Sequence, residues 1–278
     1  AIERMLKRRL FLPNNTEEIA EPLVLELIRG GHFPNNKIPD SKIGEVRQTI
    51  DKYVYILENA AKGEKKQPLR LRDWLLGVAA CEIEEILSLS VKERALIEYM
   101  SESMAKKIKI KQRGSISLSF PAEEEKNTQI YIATQRALFK LDAPIINYNL
   151  LKRNYPQWLS LNKGNVQLTE IAKNIYQIWK SIEKSLKYPL ANKFYKICEK
   201  YDTVYLVMGD IISENPNNIA EIIKNPEELE KRITGAYSKR LKALNARIKR
   251  AAVYATLSIF VTKILLALAI EMPLDKYI

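Results

Sequence analysis

Histidine occurs once in the 278 residues, at His32, cysteine twice, at Cys81 and Cys198, and glycine only nine times. His32 lies in a Gly-Gly-His-Phe-Pro stretch with no Cys, His or Asp at metal-ligand spacing, which excludes the familiar zinc patterns. The two cysteines are too far apart for a CxxC site and too few for a disulfide framework, so they read as reduced, buried thiols in a cytosolic setting. Neither has the sequence context of a catalytic nucleophile. No GxxxxGK[ST] or GxGxxG occurs, which removes the common phosphate cradles. The first residues, Ala1 to Arg9, lack the apolar core of a signal peptide, and a start without methionine suggests a processed chain or part of a longer one.

Catalytic chemistry therefore finds little to work with. Glu82, Glu84 and Glu85 follow Cys81 on a predicted helix, and three acids so close together read as a solvated face rather than an acid–base pair. The expectation is a binding or scaffold protein rather than an enzyme, with no cofactor and no metal.

What the chain does have is helix-forming composition and positive charge. It is 46% hydrophobic and 28% charged, and the low glycine content beside many Leu, Ile, Lys, Glu and Ala predicts a mainly α protein. The formal charge is +12, with a pI near 9.4, which points to an anionic partner. That excess is uneven: residues 1–60 balance nine basic against nine acidic side chains, while 152–200 carries ten against three.

Punctuation divides the chain into an N-terminal helical subdomain (1–62), a helical module (69–141), a basic aromatic-rich region (142–225), a basic juxtamembrane helix (226–250) and an apolar segment (251–270). In 40–61 the apolar positions Ile43, Val46, Ile50, Val54 and Leu57 follow helical spacing. Helices are expected at 69–87 and 91–106. The alternation in 107–120, around Gln112-Arg113-Gly114, then predicts a β-hairpin, and two helices followed by a hairpin have the order of a winged-helix-like module. The segment 201–212 fits either a buried strand or a helix.

The most informative stretch comes last. Residues 232–250 hold Arg232, Lys239, Arg240, Lys242, Arg247, Lys249 and Arg250 and no acid, and pass directly into the apolar run 251–270. Twenty residues at 1.5 Å each span about 30 Å, the thickness of a bilayer's hydrocarbon core. Ten of the twenty are Leu, Ile, Val or Phe, worth roughly −3 to −6 kcal/mol on insertion, against which Lys263 near the centre costs about 3. The run reads as a single transmembrane segment with Lys263 as an intramembrane polar residue; the alternative is a buried helix of a soluble bundle. Arg247, Lys249 and Arg250 before it, against Glu271, Asp275 and Lys276 after it, place the bulk of the chain in the cytoplasm. The seven basic residues would then lie on anionic lipid headgroups. With eight residues after Ile270, the chain is tail-anchored or continues into further spans, and a membrane lysine favours additional transmembrane helices or a homo-oligomer as partners.

Nucleic acid is the second expectation. Lys107, Lys109 and Lys111 of the hairpin, and Lys180, Lys184 and Lys187 among Tyr176, Trp179 and Tyr188, resemble a basic aromatic groove suited to single strands or to lipid. The competing reading puts Ile171, Ile175, Ile178, Ile182 and Leu186 in a core, with the lysines on the wet face of an amphipathic helix.

Overall fold

Thr49, Ile50, Tyr53 and Ile56 recur at three- and four-residue intervals, and in the computed structural model all four are buried along one side of a long helix. The structure describes residues 1–10, 19–34, 38–60, 68–109, 123–214 and 216–274. Every regular element among them is helical: α1 (Ile2–Leu10), α2 (Ala20–Arg29), α3 (Asp40–Asn59), α4 (Pro68–Leu87), α5 (Val91–Lys107), α6 (Glu123–Phe139), α7 (Ala143–Asn154), α8 (Val166–Leu186), α9 (Ala191–Glu199), α10 (Asp202–Glu214), α11 (Ile219–Lys224) and α12 (Pro226–Leu274). A 3-10 segment, Pro156–Ser160, joins α7 to α8. The ambiguous 201–212 segment is thus a helix.

The chain forms two compact units, Ala1–Tyr205 and Leu206–Ile278, the division falling inside α10. In the first, α3 and α4 pack together; α2 and α8 lie on α3, and α1 and α7 on α4. A second layer runs α5, α6, α9 and meets the first through α8. The apolar stripe of α8 faces inward as its spacing predicts, with Ile171, Ile175, Ile178 and Ile182 buried.

Helix ends follow local chemistry. Gly31, at φ +72, closes α2 in a Schellman arrangement: the His32 N–H donates to the Leu27 carbonyl and the Gly31 N–H to that of Ile28. The Asp142 and Asn165 side chains accept from the backbone N–H groups of Ile145 and Gln167 at the starts of α7 and α8.

The hairpin and winged-helix expectation is not supported. No strand occurs among the described residues, and 110–120, with Lys111, lies outside them. Lys107, expected to open the hairpin, is the last residue of α5, and the Ile108 N–H still donates to the Met104 carbonyl at 2.8 Å. Lys106 and Lys107 at this C-terminus favour helix by complementing its dipole. Lys109 follows without regular structure. α5 packs chiefly onto α6, and its Ser103 accepts from the Tyr205 hydroxyl.

In the second unit, Val207 and Ile211 of α10 and Ala236 of α12 share a small core, with Ile219 of α11 packed against it. Beyond this clasp α12 continues as one unbroken helix.

Candidate functional site

Two features stand out chemically, the far half of α12 and a charged cleft in the first unit. From Leu241 to Ile270 every residue of α12 is exposed. The helix contains a stretch long and apolar enough to cross a membrane, and none of that stretch is buried. Val253, Leu257, Phe260 and Leu265 are each more than half exposed. Thr256 and Thr262 donate their hydroxyls to the Ala252 and Ser258 carbonyls, which removes two donors that hydrocarbon would leave unsatisfied.

The basic run separates into two groups that its sequence does not distinguish. Arg232 donates to Glu228 at 2.6 Å on its own helix, Lys239 pairs with Glu214 at 3.0 Å, and Arg240 donates to Asp210 at 2.6 Å and to the Leu206 carbonyl at 3.3 Å. Lys239 and Arg240 thus help clasp α10 to α12, while Arg232 is paired within α12. Lys242, Arg247, Lys249 and Arg250 are exposed and have no acidic partner among the described residues, and Arg250 donates to the Ala246 carbonyl. The free positive charge is therefore the part next to the apolar segment. Lys263 is exposed within that segment.

The aromatic residues of 152–200 face largely inward. Trp158, Trp179 and Phe194 are buried, so they offer no stacking platform. Lys180 lies 4.5 Å from the Trp179 ring centre and 3.6 Å from Glu183; Lys187 reaches Glu183 at 2.9 Å, and Lys184 is exposed.

At the centre of the first unit is a buried polar cluster. Lys52 on α3 meets Glu82 on α4 at 2.5 Å and donates to the Trp158 carbonyl at 3.1 Å. Tyr53 and the Trp158 indole donate to the other Glu82 oxygen at 2.7 and 3.0 Å. Glu82 is thus not part of a solvated acidic face. Burial pulls the Lys52 amine below its ordinary value against the attraction of Glu82, and burial first, then Glu82, holds the Tyr53 hydroxyl well above its own. This closed network ties the 3-10 segment to α3 and α4. Thr49, Lys52, Tyr53 and Ile56 share 3–4 spacing, which places Lys52 on the inward face; that is the signal available in the sequence.

Glu84 and Glu85 instead border a cleft of about 760 Å³ between α4, α5, α6 and α7. Some of its charges are paired: Glu85 accepts from Lys152 and, at 3.2 Å, from Arg94, while Arg153 lies 4.4 Å from the Tyr131 ring centre. Cys81 also lines it, but burial and then Glu84 push its thiol up to about 12, the reverse of an activated nucleophile. His32 is exposed and is not among the lining residues. No group of three or more His, Cys, Asp or Glu suited to a metal occurs among the described residues. No protein family, curated protein or solved structure matches the chain.

Proposed function

We propose that this is a membrane-attached helical binding or scaffold protein in which 251–270 crosses the bilayer and the bulk of the chain is cytoplasmic. The observation that carries the proposal is the complete exposure of an apolar helix. Twenty residues of a helix about 10 Å across and 30 Å long present on the order of 900 Å². Apolar patches on soluble monomers stop at roughly 300–600 Å². A buried helix of a soluble bundle is the other reading of this segment, and the absence of any burial along it counts against that reading. Lys242, Arg247, Lys249 and Arg250 then lie against anionic headgroups, each adding about 1 kcal/mol of salt-sensitive attraction.

The test compares the full chain with a version ending at Arg250, by alkaline carbonate washing followed by flotation on a density gradient. The full chain is expected to float with the lipid and the shortened one to wash off. A full chain that washes off cleanly would overturn the proposal.

A further inference from the structure

The exposed faces of α12 differ in side-chain size. Where the helix leaves the clasp, Leu241, Leu244 and Ile248 form an apolar strip, 44%, 54% and 58% exposed. These residues precede the apolar segment, in the stretch that also carries the wet basic side chains, so lipid tails do not account for them. Continuing the same alternation of three and four residues into the apolar segment reaches Ala251, Ala255, Ser258, Thr262, Leu265 and Ala269. All but Leu265 are small. The bulky Val253, Leu257, Phe260 and Ile264 lie off this line.

We infer that this line is a single seam on which a second copy of the chain docks in parallel: a leucine- and isoleucine-lined coiled coil outside the membrane that passes in register into a small-residue helix pair within it. A sustained three-four repeat is the pattern of a left-handed helix pair, and small residues let helix backbones approach closely in lipid, where apolar surface alone gives no preference for protein over tails. The charges fit this occupant. Lys242, Lys249 and Arg250 fall on the outer positions of the repeat, away from the seam; Lys263 also lies off it, so this pairing does not partner that lysine, whose ammonium must snorkel toward the headgroups. One flank carries the uncharged Ser238, Asn245 and Ala252; the other carries Arg240, already held by Asp210 at 2.6 Å, and Arg247. Pairing two copies therefore brings no like charges into opposing flank positions. Two copies in one membrane share orientation and depth, so the seam meets itself in register without further adjustment.

The membrane half of this inference rests on the spanning proposal, and the half outside does not, so the test reads them separately. Single cysteines are introduced into the full chain in its native membranes as Leu241→Cys, Leu244→Cys and Ile248→Cys on the seam, and Lys242→Cys, Ala246→Cys and Lys249→Cys off it, then treated with a mild oxidant. The parent chain provides the background, since Cys81 and Cys198 are held in high-pKa surroundings by burial. All six sites are exposed, so the fold tolerates the changes. Disulfide-linked dimer is expected several-fold more at 241, 244 and 248 than at the other three. Uniform cross-linking, none, or a maximum at 242 or 249 overturns the inference. Adding Ala255→Leu to Ile248→Cys is expected to lower its cross-linking several-fold; no change contradicts a seam continuous into the membrane. Periodic cross-links in a chain that carbonate washes off would sink the spanning proposal alone, and a retained chain with flat cross-linking would sink the seam alone.

Discussion

The Lys52 ammonium meets the Glu82 carboxylate at 2.5 Å, with 1% and 2% of the two side chains exposed. Both remaining donors of the cluster, the Tyr53 hydroxyl and the Trp158 indole N–H, also converge on Glu82. A buried pair adds little net stability over a well-packed apolar pair, yet removing one partner strands a charge at a cost of about 3–5 kcal/mol. Lys52→Met is expected to destabilise the first unit by about that much, measured by urea unfolding of the detergent-solubilised chain. Adding Glu82→Gln, which removes the stranded charge and keeps an acceptor for Tyr53 and Trp158, recovers part of the loss. A single variant as stable as the parent contradicts this account of the core.

The core also predicts the response to alkali. Burial raises the Tyr53, Tyr131 and Tyr148 hydroxyls above their ordinary 10.0, and raises the thiols of Cys81 and Cys198 from 9.0 to about 12 and about 11. Over those ranges the folded chain keeps protons that the unfolded chain releases, so stability falls as pH rises past 9 and 10. Lys52, lowered from 10.5, contributes with the opposite sign in the window just below that value, but it is one group against five. Because Tyr99, Tyr201, Tyr237 and Tyr254 are exposed, only part of the tyrosinate absorbance is expected to arise in a steep step coincident with loss of helical circular dichroism. Ionisation of all fourteen tyrosines with the helices intact would contradict the burial of Tyr53, Tyr131 and Tyr148.

The division of the basic run gives a third expectation. In a chain ending at Arg250, changing Lys242, Arg247, Lys249 or Arg250 to Gln should each weaken binding to phosphatidylserine vesicles by about fivefold, corresponding to about 1 kcal/mol. Arg232→Gln and Lys239→Gln should leave vesicle binding nearly unchanged, because those charges are already paired. Arg240→Gln should instead loosen the second unit, read as faster amide exchange in 206–240, since it removes the contacts to Asp210 and the Leu206 carbonyl. Equal effects of all seven would mean that the clasp does not distinguish them.

How much of this was legible in the sequence varied with the range of the interaction. The α8 stripe and the whole of α12 were readable because each depends on repeating spacing within one helix. The Lys52–Glu82 pair was not, since the spacing on α3 turns Lys52 inward but its partner lies 30 residues away, where nothing local names it. The same limit applies to the basic run: Glu214 and Asp210 precede Lys239 and Arg240 by 25 and 30 residues, and only the α10–α12 clasp brings them together. In the other direction, alternation at 107–120 suggested strands, yet α5 continues through Lys107 with Lys106 and Lys107 favouring its C-terminal dipole. Short alternating runs beside a strong helix carry less information than the helix's own continuation.

The most direct test of the central proposal is a depth profile along α12. Spin labels are placed one at a time at Asn245, Val253, Phe260 and Leu268 of the full chain in bilayers, and their relaxation by dissolved oxygen is compared with that by a water-soluble nickel complex. A spanning helix predicts that oxygen accessibility peaks at Phe260 and falls toward both ends, with the nickel profile reversed. Equal nickel accessibility at all four positions would contradict it.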